Sequence, residues 1–324
     1  MTRGVFRQLL KEYRRTLTPA QRRNSYRTKI RWKYPYAGER KLQSIIKAVF
    51  SHYADRIKAR VMIGENAYPI HTVKRDSFAS DIDDYIAELS ASIEESQLQG
   101  ELVSSLNLGP LVIQLMTYIK TFSEKELEDY FFKRFGKPLA YTDPWWVDLQ
   151  KAWESEFNIR VGGSADAFMY KIRDTVLDYI HNEKSFTDLT SRIRELSTSF
   201  TDKQSAFLAR DLTGRLNGMM AKAIQTSIGL NYYYWQTAAD ERVRGRPGGV
   251  YASAIPSHWD MDGTICSWID VSKVSTDFGR TWGFRTARMP MSHPGMAWQC
   301  RCIAVPFDLD LLLQVDKELA SEGA

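Results

Sequence analysis

Apolar positions recur at helical spacing over most of this chain, and the rhythm changes only in its last third. From residue 42 to about 99 the pattern is helical. LQSIIKAVFSHYADRIKARV sets Ile45, Val49, Tyr53 and Ile57 four apart on one stripe. FASDIDDYIAELSASIEESQL repeats Ile82, Ile86, Leu89 and Ile93 at three and four, opposite an acidic face. Gly109-Pro110 breaks the chain at a third apolar segment, LVIQLMTYIKTF. Ser123 and Glu126 have capping-box spacing, which predicts a helix from 123 to 135, with Gly136 where a left-handed terminal residue belongs. KPLAYTDPWWVDLQ reads as a loop or docking segment, its Trp145-Trp146 pair suiting a core or a contact surface equally. NIRVGG (158–163) reads as a short strand or turn. Helices resume at Ser164, with Phe168, Ile172, Val176 and Ile180 in a stripe. Thr187 is placed to cap a helix carrying Ile193 and Leu196, and Thr201 with Gln204 makes a second capping box opening a long helix. After Gly229 the composition turns β-like, in LNYYYWQTA and later CIAVPF. No internal repeat is visible. The pattern predicts an α+β protein: a mostly helical N-terminal two-thirds and a small C-terminal domain in which a long helix packs on a short antiparallel sheet.

At 324 residues, with 44% hydrophobic and 12% aromatic content, the chain can bury a sizeable core and has room for two domains. No run of 18 apolar residues predicts a membrane span, and the N-terminus lacks the apolar region of a signal peptide. The net charge of +5 hides an asymmetry: residues 1–60 hold 17 Lys/Arg against three Asp/Glu, a balance of +14, so the remainder carries −9. Residues 1–42 read as a basic arm in which cations interleave with aromatics. Its candidate contact residues are Arg14, Arg15, Arg22, Arg23, Arg27, Lys29, Arg31, Trp32 and Lys33. Cations can neutralise phosphates while aromatics stack on bases or in a protein groove. The same composition suits a strand or helix that packs on a protein partner. The boundaries this implies are an arm (1–42), a helical domain (43–200), a C-terminal domain (201–308) and a tail (309–324).

The candidate chemistry gathers between residues 240 and 305. All three cysteines (Cys266, Cys300, Cys302) lie there, with His258 and His293 from a total of five histidines. Thiolate and imidazole suit Zn²⁺, so these five are candidate ligands for a tetrahedral site. Against that, no pair has CxxC knuckle spacing, and the same residues suit a buried core with a capping histidine. A CxC pair plus one odd cysteine is not a disulfide framework, and a reducing compartment fits. Strand alternation would put Cys300 and Cys302 on one face with Arg301 opposite. His258 with Asp260 and Asp262, or Cys300 with His293, could be drawn as catalytic pairs. No GxSxG, P-loop or HExxH accompanies them, and the reading is of a non-enzyme. Asp262-Gly263 reads as a hairpin turn between two strands.

Several motifs in this window stand in a telling order. The helix AFLARDLTGRLNGMMAKAIQTSIG (206–229) is followed by DERVR (240–244), then His258-Trp259-Asp260-Met261-Asp262-Gly263, then His293-Pro294 and Cys300-Arg301-Cys302. Over residues 200–308 this resembles the Mu-F-like head morphogenesis family of tailed phages, the minor capsid or minor head proteins. Those domains run from an Ala-Arg-rich helix through DER and (C/H)xx(L/M)DG to HPxxxxCRC. Some carry CxxC after DER, which with the closing cysteines looks like a four-ligand metal site. Here His258 stands at the second of those positions, after an insertion (245–257). The resemblance implies a minor capsid protein of a double-stranded-DNA phage that associates with the portal during head assembly in the host cytoplasm. It also implies residence in the virion, in the capsid interior or near the portal, an influence on DNA packaging or ejection, and several copies around the portal ring. Major capsid or scaffolding protein and duplex DNA are further partners it allows; a membrane is not among them. The alternatives are an internal virion protein acting directly on the genome and a toxin-like enzymatic module, since related folds occur in bacterial toxins. Within the matched region, Arg210 or Arg301 is placed to clasp the helix to the loops through carboxylates such as Asp240 or Asp262.

Overall fold

The computed structural model describes residues 3–18, 32–67, 80, 83–88, 90–91, 106–135, 144–182, 186–277, 279–307, 315, 317–319 and 321. Among the described residues, the helices ahead of the sheet include α1 (Arg3–Arg15), α2 (Tyr36–Ala67), α3 (Gly109–Phe135), α4 (Trp146–His181) and α5 (Phe186–Ser227). The strands β1 (Tyr232–Gln236), β2 (Ile265–Ser267), β3 (Lys273–Ser275), β4 (Gly283–Phe284) and β5 (Ile303–Phe307) form one antiparallel sheet in the order β4-β3-β2-β1-β5. The α+β expectation therefore holds, and both β-like segments supply strands, β1 and β5. No described helix is long and apolar enough to cross a membrane.

The chain divides into two compact units that do not follow the linear order of arm, helical domain, C-terminal domain and tail. One comprises Met1–Tyr36, Thr117–Leu149 and Thr213–Ala324; the other comprises Ala37–Met116 and Gln150–Leu212. α2 begins at Tyr36, inside the span read as arm.

In the second unit, helical stripes bury as their spacing predicts. Ile45, Val49, Tyr53 and Ile57 are all buried, as are Phe168, Ile172 and Val176. The side chain of Ile180 lies outside the described residues. Phe50, Phe168 and Phe200 form an aromatic cluster with centroids 4.8–6.0 Å apart. Trp153 is fully buried and its indole N–H donates to the Leu212 carbonyl at 3.1 Å. Around residue 86 the helical pattern is present and Ile86 is buried; Ile82, Leu89 and Ile93 lie outside the described residues.

Three local expectations fail for one reason. NIRVGG lies inside α4, which runs unbroken through Ser164. There Phe157, Asn158 and Val161 are buried, so the stripe that started at Trp153 continues through the two glycines. Thr201 and Gln204 lie inside α5, with Gln204 donating to Ser164 Oγ at 3.0 Å. Ser123 and Glu126 lie inside α3, where Ser123 is buried and Glu126 accepts the Lys33 backbone N–H at 3.1 Å. A capping box contributes on the order of 1 kcal/mol, less than the apolar burial gained by carrying a stripe through. Gly109-Pro110 does mark a boundary: α3 starts there, and a proline in the first turn removes an N–H that would have no partner. Gly136 lies outside the described residues.

In the first unit the core lies between the sheet, the loops before β5 and the C-terminal half of α5. It gathers Ala221, Tyr233, Trp235, Met261, Cys266, Trp268, Val274, Cys300, Cys302 and Ala304. β1 alternates: Tyr233 and Trp235 are buried, while Tyr232, Tyr234 and Gln236 are half-buried. Gln225 of α5 ties the layers, donating to the Ala304 carbonyl at 2.8 Å and accepting the Trp268 indole N–H at 2.9 Å. Gly214 and Gly218, one turn apart, let the chain from 294 to 300 lie directly on the helix. A Cβ at either would run into the carbonyl oxygen of Cys300 or Pro294.

Candidate functional site

The site is assembled from two stretches of chain. His258 sits just ahead of a single 3-10 turn, Trp259–Met261. The backbone N–H groups of His258 and Trp259 both donate to the Arg244 carbonyl at 3.0 Å, and Ser257 N–H donates to the Arg288 carbonyl at 2.6 Å. These bonds anchor the turn to the loops on either side of it. Met261 to Thr264 then make a type II turn, with Gly263 at φ +78° and Thr264 N–H on the Met261 carbonyl at 3.0 Å. Asp262-Gly263 is thus a turn, but not a hairpin joining adjacent strands: it feeds β2 at the end of a 28-residue connection (237–264) from β1.

Cys300 and Cys302 lie just ahead of β5, and both sulfurs turn toward His258. His258 Nδ1 lies 3.4 Å from each sulfur, and all three residues are buried. Backbone N–H groups of Gly295 and Cys302 both point at Cys300 Sγ, each at 3.4 Å. Cys302, donating to its neighbour, and then His258 hold the Cys300 thiol well below the ordinary range. Cys302 retains the shared proton, and that interaction with burial pushes it up. The arrangement favours one thiolate on Cys300, stabilised by several donors.

The other two candidate ligands stand elsewhere. Cys266 on β2 is buried 3.7 Å from Thr264 Oγ1, and burial raises its pKa. His293 Nδ1 lies 3.0 Å from the Tyr233 hydroxyl. Burial, with Lys222 and Arg285 nearby, lowers His293 to about 4. The structure therefore groups His258 with Cys300 and Cys302, and leaves Cys266 and His293 out of that group. It also gives Cys300 a different histidine from the one drawn on sequence. Cys300 meets His258 and not His293, and Asp262 Oδ1 accepts from Thr237 N–H (2.9 Å) and Thr237 Oγ1 (3.1 Å).

Of the candidate clasp, Arg301 forms its half: it meets Asp240 at 2.5 Å. The Arg210 guanidinium is 3.6 Å from Glu39 of α2. The position of Arg210 on α5, two turns ahead of Gly218, places it in the other compact unit. Sequence reasoning missed a buried guanidinium with several partners. Arg285 is 7% exposed and donates from Nη1 to the carbonyls of Pro290 (2.6 Å) and Ser292 (2.7 Å). Its Nη2 reaches the Tyr233 hydroxyl at 3.3 Å. Nothing in RTWGFRTARMP sets Arg285 apart from Arg280 and Arg288, both exposed.

The arm residues divide. Arg14 is buried at 1% exposure within α1, so its guanidinium is not on the free surface the sequence reading assumed. Arg15, beside it, stays exposed. Arg7 and Lys11 pair with Glu318. Trp32 is half-buried, exchanging hydrogen bonds with the Gln236 side chain at 3.0 and 2.9 Å; Lys33 is exposed. Arg22, Arg23, Arg27, Lys29 and Arg31 lie outside the described residues.

No family model matches this chain, and no solved structure matches it. It is similar to an uncharacterized protein of Haemophilus influenzae, 27% identical over 139 residues, which is 43% of this chain. The chain spans about 25% of the length of that relative.

Proposed function

We propose that this chain is a minor capsid protein of a tailed double-stranded-DNA phage, binding the portal during head assembly and acting as a structural part rather than an enzyme. The observation that carries the reading is the convergence of the motifs that resemble the Mu-F-like family. His258, the 293–295 turn and Cys300-Arg301-Cys302 meet in one buried knot laid against Gly214 and Gly218. His258 meets both sulfurs, His293 bonds Tyr233 and Arg301 bonds Asp240, contacts that tie the loops to one another and to β1 as a scaffold requires. The strongly basic N-terminal segment then supplies the docking charge, with Arg15 and Lys33 exposed at the edges of the segment holding Arg22, Arg23 and Arg27. A symmetric portal would bind several copies.

The test is co-purification of the full chain with the portal protein of the same phage at moderate salt. The comparison is between wild type and the charge reversal R22E/R23E/R27E. Deleting residues 1–42 would be a poorer probe, because Arg14 is buried and Trp32 bonds Gln236. A complex with wild type that is lost on charge reversal is the expected result. A complex indifferent to the reversal removes the arm from the interface. No complex, together with tight salt-sensitive binding to duplex DNA, replaces the portal reading with direct action on the genome.

A further inference from the structure

We infer that His258, Cys300 and Cys302 form a three-donor site for a zinc ion that staples the turn at 258–261 to the entry of β5. The first argument is geometric. Zn–S and Zn–N bonds of about 2.3 and 2.0–2.1 Å at a tetrahedral angle place a sulfur and a nitrogen roughly 3.5 Å apart. His258 Nδ1 is 3.4 Å from both sulfurs, and all three donor atoms lie within 4.8 Å of one another. Cys266 and His293, which the sequence offered as equal candidates, are outside this group.

The second argument is electrostatic. Cys300 Sγ receives two backbone N–H groups, from Gly295 and Cys302, an arrangement that stabilises a thiolate. Buried charge is costly unless it is paired, and among the described residues no Lys or Arg forms an ion pair or hydrogen bond with either sulfur. Two thiolates and a neutral imidazole around Zn²⁺ give a site with no net charge; a monovalent soft ion would leave it negative. The third argument is where the site lies. Its donors are 42 and 44 residues apart in sequence and sit in loops, where a cross-link removes most conformational freedom. The fourth coordination position has no Cys, His, Asp or Glu ligand among the described residues.

The experiment uses the full chain, expressed with added zinc and purified under reducing conditions. Metal analysis should find about one equivalent of zinc per chain. Replacement by Co²⁺ should give thiolate-to-metal charge-transfer bands and intense tetrahedral d–d bands. A strong chelator should lower the thermal midpoint, and added zinc should restore it. Cys266→Ser should keep the cobalt spectrum, whereas Cys302→Ser should lose the charge-transfer intensity of one thiolate. If Cys302→Ser does not fold, the wild-type stoichiometry and the Cys266→Ser spectrum still decide. The inference is overturned if wild type holds no stoichiometric metal and its midpoint ignores the chelator. It is equally overturned if Cys266→Ser abolishes the spectrum.

Discussion

Arg285 offers a sharp test of how the loop layer is held. Arg285→Met keeps most of the side-chain volume and removes the guanidinium. Three acceptors then lose a donor: the carbonyls of Pro290 and Ser292 and the Tyr233 hydroxyl. A buried acceptor left unsatisfied costs about 1–3 kcal/mol. The guanidinium also lies 5.5 Å from the Trp235 ring, a contact contributing roughly 0.5–2 kcal/mol when desolvated. Against these stands the relief of a buried charge whose Nε has no hydrogen-bond partner among the described residues. The balance is a loss of about 3 kcal/mol, a shift of roughly a hundredfold in the unfolding equilibrium. Arg288→Met, three residues along and exposed, should stay within about 0.5 kcal/mol of wild type. Arg285→Lys should fall between, since an ammonium cannot fork to two carbonyls and a hydroxyl with the same geometry. Urea titration followed by hydrogen exchange over residues 285–296 reads this locally, which matters in a chain with two compact units. Equal midpoints and equal protection for Arg285→Met and Arg288→Met would refute the reasoning.

Gly214→Ala sets two effects against each other: helix propensity favours Ala by about 1 kcal/mol, but the new methyl meets the Cys300 carbonyl, and overpacking costs about 1–3 kcal/mol. A lowered thermal midpoint is expected, and a raised one would show that the 294–300 chain does not lie on α5. Ser123→Ala should be neutral or stabilise by up to about 1 kcal/mol, because Ser123 Oγ is buried without a partner among the described residues; a loss of similar size in denaturant titration would restore the capping box. His293 has its folded pKa depressed to about 4 from 6.5, so the neutral ring is the form the fold prefers. Above pH 6.5 that stability is fully present. Between 6.5 and 4 the unfolded chain takes up a proton that the folded chain refuses, so stability falls with pH. Discounted for solvent screening of this half-buried ring, the shift is worth on the order of 1–2 kcal/mol. His293→Phe should flatten that part of the stability-versus-pH curve, and parallel curves for the two proteins would contradict it.

How much of this was legible beforehand depends on the range of the forces involved. Period and composition are local, and they sufficed for the α+β class, for β1 and β5, and for the burial of Ile45, Val49, Tyr53 and Ile57. The C-x-C pair was legible as a pair that meets one common group, though not as strand residues, since β5 starts only at Ile303. Helix ends were not legible at Ser123 or Thr201, because a weak capping signal yields to the burial gained by continuing a stripe. The partner of the CxC pair was not legible either. His293 is seven residues from Cys300 and His258 is 42 away, yet the fold brings in the distant one, since the sheet returns the 258 turn beside the entry to β5. Nor could sequence tell Arg285 from Arg280 and Arg288. Residue type and spacing determined which groups were available and how the elements would repeat. The tertiary structure alone decided which of them meet, because contact between distant segments depends on how the layers close over the core and on no local preference.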